Sequence, residues 1–276
     1  MSGCANLRFN EGCALFLERN IQLGVSQAQT TVPQLVLILT RPRYFEPPPS
    51  QTEFLIVAGV LRLSTKYDVQ YLRRRALQHL AATFPTTLDA WHQRDKTRTI
   101  PPVNNTPFAA LQLAREFDLG WIIPSIMYCI SSHPLIKSIG GTDFCGEKLH
   151  MSFEDQRCAL LGREKLLMLQ NRYSLSLSMN MSDDHFETEE TCEGHGKCMM
   201  TRQKIPDIIT GWTVACYLDF YREHQGLIDN GFCKTCRPAF LRRQQQFGEE
   251  MWSALPFIFR LDAWTDLDRQ KEKSWV

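Results

Sequence analysis

The sequence lacks both a strong charge of one sign and any long apolar run. Its 31 Lys and Arg residues nearly balance its 30 Asp and Glu residues, which leaves a net charge of +1. This balance provides no electrostatic attraction to nucleic acid or to an anionic membrane. An apolar run such as Leu35 to Leu39 is far shorter than the roughly 20 residues that cross a bilayer. No basic-then-apolar signal peptide opens the chain, so we expect a cytoplasmic or nuclear protein without a membrane partner.

The sequence also lacks the common catalytic motifs. No GxGxxG, P-loop or GxSxG pattern occurs, so the phosphate cradles and nucleophile turns that these motifs build are not indicated. Five isolated histidines are predicted to be surface residues or hydrogen-bonded core residues: His79, His92, His133, His150 and His185. An enzyme is therefore the least favoured of the functional classes.

What the sequence does contain is a strong helical pattern, first between Phe54 and Leu80. Apolar residues recur at helical spacing, and they predict two helices whose buried faces include Leu61 in the first and Leu72, Ala76 and Leu80 in the second. Tyr67 and Asp68 are predicted to form the corner, with Asp68 capping the second helix.

Further helical patterns follow along the chain. A helix from Thr106 is expected to stop in a left-handed turn at Gly120, and residues 133–150 are predicted to be a loop. Ser50 with Glu53 and Thr86 with Asp89 have the spacing of capping boxes, whereas Ser152 with Asp155 opens a helix that has Phe153, Leu160 and Leu167 on one face. Residues 171–191 are polar and predicted to be mobile, and Phe240, Phe247 and Met251 line a last helix. We therefore expect a mainly α fold with little or no β-sheet.

Two blocks carry a resemblance to a known family. "LRLSTKYDVQYLRRRALQHL" with "FPTTLDAW", and "CKTCRPAFLRRQQQFGEEMWSALPFIFRLDAW", resemble fungal BTB/POZ proteins of the basidiomycete type. The second block has Arg260-Leu261-Asp262 where the resemblance implies Gly-Leu-Pro, a departure that loosens the terminal turn.

The resemblance implies the C-terminal helices of a BTB/POZ domain followed by a helical extension. The implied organisation is a divergent N-terminal segment at 1–31, a partial BTB/POZ domain at 32–95, a helical extension at 106–170 and a cysteine-containing helical region at 192–267. Residues 1–31 are too short for the missing strands and dimerisation elements, so an N-terminally incomplete domain is expected and the usual BTB homodimer is doubtful. The implied function is non-enzymatic: an adaptor or scaffold that binds other proteins.

Five of the ten cysteines are crowded into the segment from Cys192 to Cys236. The two-residue gap of Cys233 and Cys236 allows both sulfurs to reach one tetrahedral metal, and Cys192 and Cys198 supply a second pair. A structural zinc bound by these four cysteines is the leading hypothesis. His195 is a possible substitute ligand, and His224 is a weaker one.

Three other interpretations of these motifs stay open. The cysteines could be packed or exposed free thiols, or Cys233 could be a redox or nucleophilic cysteine at a helix N-terminus. The run Arg73 to Arg75 suggests a zinc-dependent transcriptional or nucleic-acid-associated regulator, although a solvated helix face with carboxylate partners is the simpler interpretation.

Overall fold

The computed structural model describes residues 45–178, 192–210 and 217–275. These residues are mainly helical and include one two-stranded sheet, which confirms the predicted fold class. Within them, no helix combines the length and the apolar character that crossing a bilayer requires. The α-helices are α1 Phe54–Lys66, α2 Gln70–Thr83, α3 Leu88–Thr97, α4 Thr106–Glu116, α5 Ile123–Ser131, α6 Leu135–Gly140, α7 Phe153–Ser178, α8 His195–Thr210, α9 Phe220–Glu223, α10 Gln225–Gly231, α11 Cys236–Ile258 and α12 Trp264–Ser274. The short strands are β1 Thr142–Phe144 and β2 Glu147–Leu149, and 3-10 turns cover Gly120–Ile122 and Tyr217–Asp219.

The chain divides into two compact units. Of the described residues, the first unit holds 45–126, 142–149 and 265–275, and the second holds 127–141 and 150–264. The four domain ranges implied by the resemblance stay predictions, and the segment 1–31 lies outside the described residues.

The helical hairpin of α1 and α2 forms as predicted. Leu61, Leu72, Ala76 and Leu80 each have a relative exposure of 0%, and α1 packs against α2. The apolar periodicity therefore identified the buried faces of both helices correctly. These faces turn inward because burying each leucine stabilises the fold by about 1.5–3 kcal/mol.

The corner between these helices differs from the prediction. Asp68 has a left-handed φ of 53°, and the amide of Val69 donates to the carbonyl of Ser64 at 2.8 Å. This is the hydrogen bond of a Schellman motif, so Asp68 ends α1 through its backbone. The cap predicted for Asp68 is wrong, since Val69 is the N-cap of α2 and has no side-chain hydrogen bond of that kind.

Helix α4 ends in the same way, and the predicted stop at Gly120 is wrong. Asp118 has a φ of 52°, and the amide of Leu119 donates to the carbonyl of Ala114 at 2.8 Å. An aspartate tolerates the left-handed conformation better than most residues, so the helix stops two residues earlier. Gly120 instead begins a 3-10 turn.

The arginine run on α2 is bonded to main-chain carbonyls of the first unit. Arg73 donates to the carbonyl of Ser274, Arg74 donates to that of Trp275 at 2.8 Å, and Arg75 donates to that of Phe45 at 3.1 Å. The predicted carboxylate pairing is therefore replaced by contacts that join α2 to the end of the chain and to Phe45.

His79 is a hydrogen-bonded core residue, as predicted. It is fully buried, with Nδ1 2.7 Å from the hydroxyl of Thr99 and Nε2 2.8 Å from the carbonyl of Glu46. Because a carbonyl only accepts, Nε2 carries the proton and Nδ1 accepts from Thr99. Burial lowers the pKa of His79, because a charged ring would lose its hydration there.

In the second unit, α7 packs on α8 and α11 through a face that was not predicted. Phe153 is 77% exposed, whereas Ala159 and Leu166 are buried. Gly162 permits the close approach, because a Cβ at this position would lie 2.3 Å from the ring of Phe259. Phe153, Leu160 and Leu167 share one side of α7, as predicted, but this is not the side that packs inward, since Phe153 is exposed and the two leucines are half-buried.

Residues 133–150 are not the predicted loop. They contain α6 and the antiparallel hairpin of β1 and β2. Cys145 and Gly146 have φ values of 49° and 86°, as a two-residue type I′ turn requires. Likewise, α7 continues through Ser178, into the segment predicted to be mobile, and the rest of that segment lies outside the described residues.

Candidate metal centre

Cys233 and Cys236 lie at the start of α11. Cys236 is the first residue of this helix, and its amide donates to the sulfur of Cys233 at 3.4 Å. This hydrogen bond is the largest of several that together lower the pKa of Cys233 to about 6, since each favours the thiolate. The turn predicted from the two-residue gap therefore brings the first sulfur over the N-terminus of a long helix.

Cys192 and Cys198 form the second pair, around the start of α8. Cys198 lies in the first turn of the helix, and Cys192 precedes it. Gly194 lies between them and is required by space, since a Cβ there would be 2.7 Å from the sulfur of Cys198 and 3.1 Å from Cβ of Cys233. The glycine thus lets the loop of one pair approach the other pair.

The four sulfurs converge. Those of Cys192, Cys198, Cys233 and Cys236 all lie within 4.8 Å of one another, and those of Cys192 and Cys233 are 4.0 Å apart. A tetrahedral zinc with Zn–S bonds of ~2.3 Å requires sulfurs about 3.8 Å apart, so a contraction of less than about 1 Å would complete the coordination sphere. The four predicted ligands could therefore bind a metal.

Burial divides the four cysteines into two kinds. Cys198 and Cys236 are buried, whereas Cys192 and Cys233 are partly exposed. Burial raises the pKa of Cys198 and of Cys236, so in the absence of a cation these two thiols hold their protons. A bound divalent cation would displace those protons, which makes metal binding at this site dependent on pH.

A contact that the sequence did not predict holds the two pairs together. The hydroxyl of Thr201 on α8 donates to the carbonyl of Gly231 at 2.9 Å, two residues before Cys233. A Cβ at Gly231 would lie 2.5 Å from the Thr201 side chain, so only glycine allows α8 to lie this close. The two residues are 30 positions apart, and nothing in their local sequence pairs them.

Two histidines, His195 and His224, are the substitute metal ligands that the sequence suggests. His195 is the first residue of α8, and its role as a substitute ligand stays a prediction. The Nδ1 of His224 lies 3.2 Å from the carbonyl of Phe220, and its ring stacks on that of Phe220. Within the described part of the chain, the cluster of potential ligands comprises the four cysteines and does not include His224.

No family model, no curated protein and no solved structure matches this chain. The interpretation of the site therefore depends on its own geometry and on the chemistry of four sulfur donors.

Proposed function

We propose that this chain is a non-enzymatic protein–protein interaction scaffold of the fungal BTB/POZ type, with a structural zinc in its second unit. The observation that carries the zinc is the convergence of four cysteine sulfurs within 4.8 Å. The adaptor role is supported by the resemblance of the 61–91 and 233–264 blocks to that family. Neither block contains a GxGxxG, P-loop or GxSxG motif.

The donor set favours a structural metal over a catalytic one. Four thiolates fill every position of a tetrahedral zinc, whereas catalytic zinc keeps one position for water or substrate. Bound at Cys192, Cys198, Cys233 and Cys236, the metal would join the start of α8 to the start of α11 and contribute folding energy directly. A cytoplasmic or nuclear location is part of the proposal, since thiols stay reduced in those compartments.

The nucleic-acid alternative has less support. It depends on the arginines of α2 as phosphate ligands, but all three of Arg73, Arg74 and Arg75 donate to main-chain carbonyls. The net charge of +1 supplies no further attraction. We therefore propose other proteins as the partners, and we regard homodimerisation through the usual BTB interface as doubtful.

A thiol redox centre is the second candidate function, and one observation favours it. The pKa of Cys233 is lowered to about 6, most of all by the amide of Cys236, which increases the thiolate fraction at neutral pH. The sulfur of Cys192, 4.0 Å away, would be the partner in a disulfide. Metal content separates the two candidates, because zinc would occupy the sulfurs that a redox centre needs.

The test is metal analysis of the purified protein. We expect one zinc per chain, and we expect a variant with both Cys233→Ser and Cys236→Ser to lose it and to unfold at lower temperature. Cys145→Ser is the matched control, since Cys145 is an exposed cysteine outside the cluster, and this variant should keep its zinc. A protein that is free of zinc yet unaffected by the double substitution would contradict the proposal.

The interaction role needs its own measurement. Partners enriched from cells with the wild-type chain should be lost with the cysteine double variant and retained with Cys145→Ser. A set of partners that is insensitive to both variants would show that binding does not depend on the proposed zinc-held unit.

A further inference from the structure

A groove in the second unit lies between the C-terminal half of α7 and α11. Its volume is about 710 Å³. The rings of Tyr173 and Phe247 stack with centroids 4.2 Å apart and an interplanar angle of 10°, and both residues are only 5% exposed. These two aromatic residues therefore form a closed, rigid floor.

Two arginines, Arg172 and Arg243, and one carboxylate, that of Glu250, line the groove, so its charged side chains carry an excess of one positive charge. The guanidinium of Arg243 lies 4.8 Å from the centroid of Phe247, and among the described residues its buried Nε has no acceptor. Arg172 borders the same groove, and among the described residues neither arginine forms an ion pair. The carboxylate of Glu250 accepts instead from the hydroxyl of Tyr173 at 3.4 Å and from the amide of Gln246 at 3.2 Å. These two donors are neutral and leave the charge of Glu250 in place, so the lining has one more cation than anion, and a bound carboxylate would balance that excess.

The rim of the groove is apolar and exposed. Met168 and Leu175 line it, with exposures of 66% and 51%. They are seven residues apart on α7, and this spacing places them on one face of the helix. Exposed apolar side chains beside charged groups are typical of sites where another protein binds.

We propose that this groove binds a short acidic, amphipathic segment of another protein. Apolar side chains of that segment would cover Met168 and Leu175, and its carboxylates would pair with Arg172 and Arg243. This mode is the helix-in-groove type of peptide recognition. The proposal names the partner chemistry for the interaction role proposed above, and it rests on that role.

The floor and the rim argue against other occupants. Bases of a single-stranded nucleic acid stack on accessible aromatic faces, but Tyr173 and Phe247 are buried against each other. Small ligands are held by sites that enclose most of their surface, whereas Met168 and Leu175 present their apolar atoms outward at an open rim.

The test is fluorescence anisotropy with the full chain and a labelled 14-residue helical peptide. The probe carries Leu at positions i, i+4 and i+7 and Glu at the flanking positions. One matched peptide has Lys in place of Glu, and another has Ser in place of Leu. We expect the acidic peptide to bind at least about tenfold more tightly than either matched peptide, with an affinity that falls as salt rises.

Variants of the chain locate the binding. Arg172→Glu should weaken binding of the acidic peptide by about fivefold or more, and Leu175→Ser should weaken it as well. Arg157→Glu is the matched control, since it makes the same charge change at an exposed arginine near the other end of α7, and it should bind as the wild type does. Thermal unfolding of each variant checks that the fold is kept.

Several results would overturn the proposal. These are equal binding of the acidic and lysine peptides, unchanged binding by Arg172→Glu, self-association that Leu175→Ser abolishes, or tighter binding of a single-stranded oligonucleotide at the same residues. Metal analysis distinguishes this failure from failure of the function proposed above. If the chain binds zinc and captures partners through other residues, the scaffold function stands and only the groove proposal fails.

Discussion

Gly194 allows the convergence of the four cysteines to be tested with a single methyl group. In Gly194→Ala, the new Cβ would lie 2.7 Å from the sulfur of Cys198 and 3.1 Å from Cβ of Cys233. Real Cβ atoms are essentially never found closer than 3.0 Å to another heavy atom. Either Cys198 turns its sulfur away or the loop moves outward, and both displace a sulfur from the cluster.

The expected magnitude follows from that displacement. Loss of a supporting contact at a metal site costs about 10–100-fold in metal affinity, and displacement of one sulfur is expected to fall in that range. We therefore expect Gly194→Ala to weaken zinc binding by about 1.4–2.8 kcal/mol. Competition against a coloured zinc chelator at fixed pH measures this, with pH held constant because binding releases protons.

Gly196→Ala provides the matched control. This glycine is two residues away, in the first turn of α8, and a Cβ there meets no heavy atom within 4 Å. Alanine inside a helix is more stable than glycine by about 0.5–1 kcal/mol, so this variant should bind zinc as the wild type does. Zinc affinities of Gly194→Ala and Gly196→Ala that match the wild type would refute the proposed site. Thermal unfolding with chelator present separates an effect on the metal from an effect on the fold.

Three further predictions test the fold. Leu72→Asp should destabilise the first unit by at least about 3 kcal/mol, because it places a charge at a fully buried position. Thermal unfolding measures this, and the neighbouring Tyr71→Asp should change it little, because the side chain of Tyr71 is 44% exposed. Arg260→Gly should raise the free energy of unfolding by about 1 kcal/mol, because Arg260 has a left-handed φ of 59°, which costs a residue with a Cβ about 1 kcal/mol. Alanine also has a Cβ, so a similar gain in Arg260→Ala would show that the left-handed strain is not the cause. Burial lowers the pKa of His79, so the unfolded chain takes up a proton below about pH 6.5 that the folded chain resists. Stability measured by denaturant should therefore fall between pH 7 and pH 5.5, less steeply in His79→Gln, and equal slopes would show that His79 does not cause the fall.

The sequence by itself determined the helices whose features are local. Periodic apolar residues located α1 and α2 and their buried leucines, because each helix needs one apolar face to bury. Ser152 and Asp155 open α7 as predicted, with the amide of Asp155 donating to the Ser152 hydroxyl at 3.1 Å and that hydroxyl donating to the Asp155 carboxylate at 2.8 Å, whereas the capping box predicted for Ser50 and Glu53 does not form, since α1 has no side-chain cap. Both features depend on residues within one or two turns.

Helix ends were harder to predict, because the expected residue was glycine. Asp68, Asp118 and Arg260 all adopt the left-handed conformation at the ends of helices, each with the Schellman hydrogen bond that satisfies a terminal carbonyl. Tertiary packing outweighs the strain of about 1–2 kcal/mol at such positions. A rule based on glycine alone misses them.

The choice of the buried face on α7 was decided only by tertiary structure. Its large apolar residues suggested one face, but α7 packs on α8 and α11 through another face, where Ala159 is buried and Gly162 leaves room for the ring of Phe259. This choice left Met168 and Leu175 exposed and created the groove with Arg172 and Arg243. A helical period specifies which residues share a face, but not which face a neighbouring helix will cover.

The candidate metal centre depends on both the sequence and the tertiary structure. The types and spacing of Cys192, Cys198, Cys233 and Cys236 identified a possible tetrahedral site, because thiolate chemistry is a property of the residues themselves. Their convergence within 4.8 Å depends on a contact between Thr201 and Gly231, which are 30 positions apart. Sequence spacing identifies the residues that are able to bind a metal, but packing between residues far apart in the chain brings their sulfurs together. The two pairs are separated by 34 residues, so the helices between them set the sulfur–sulfur distances.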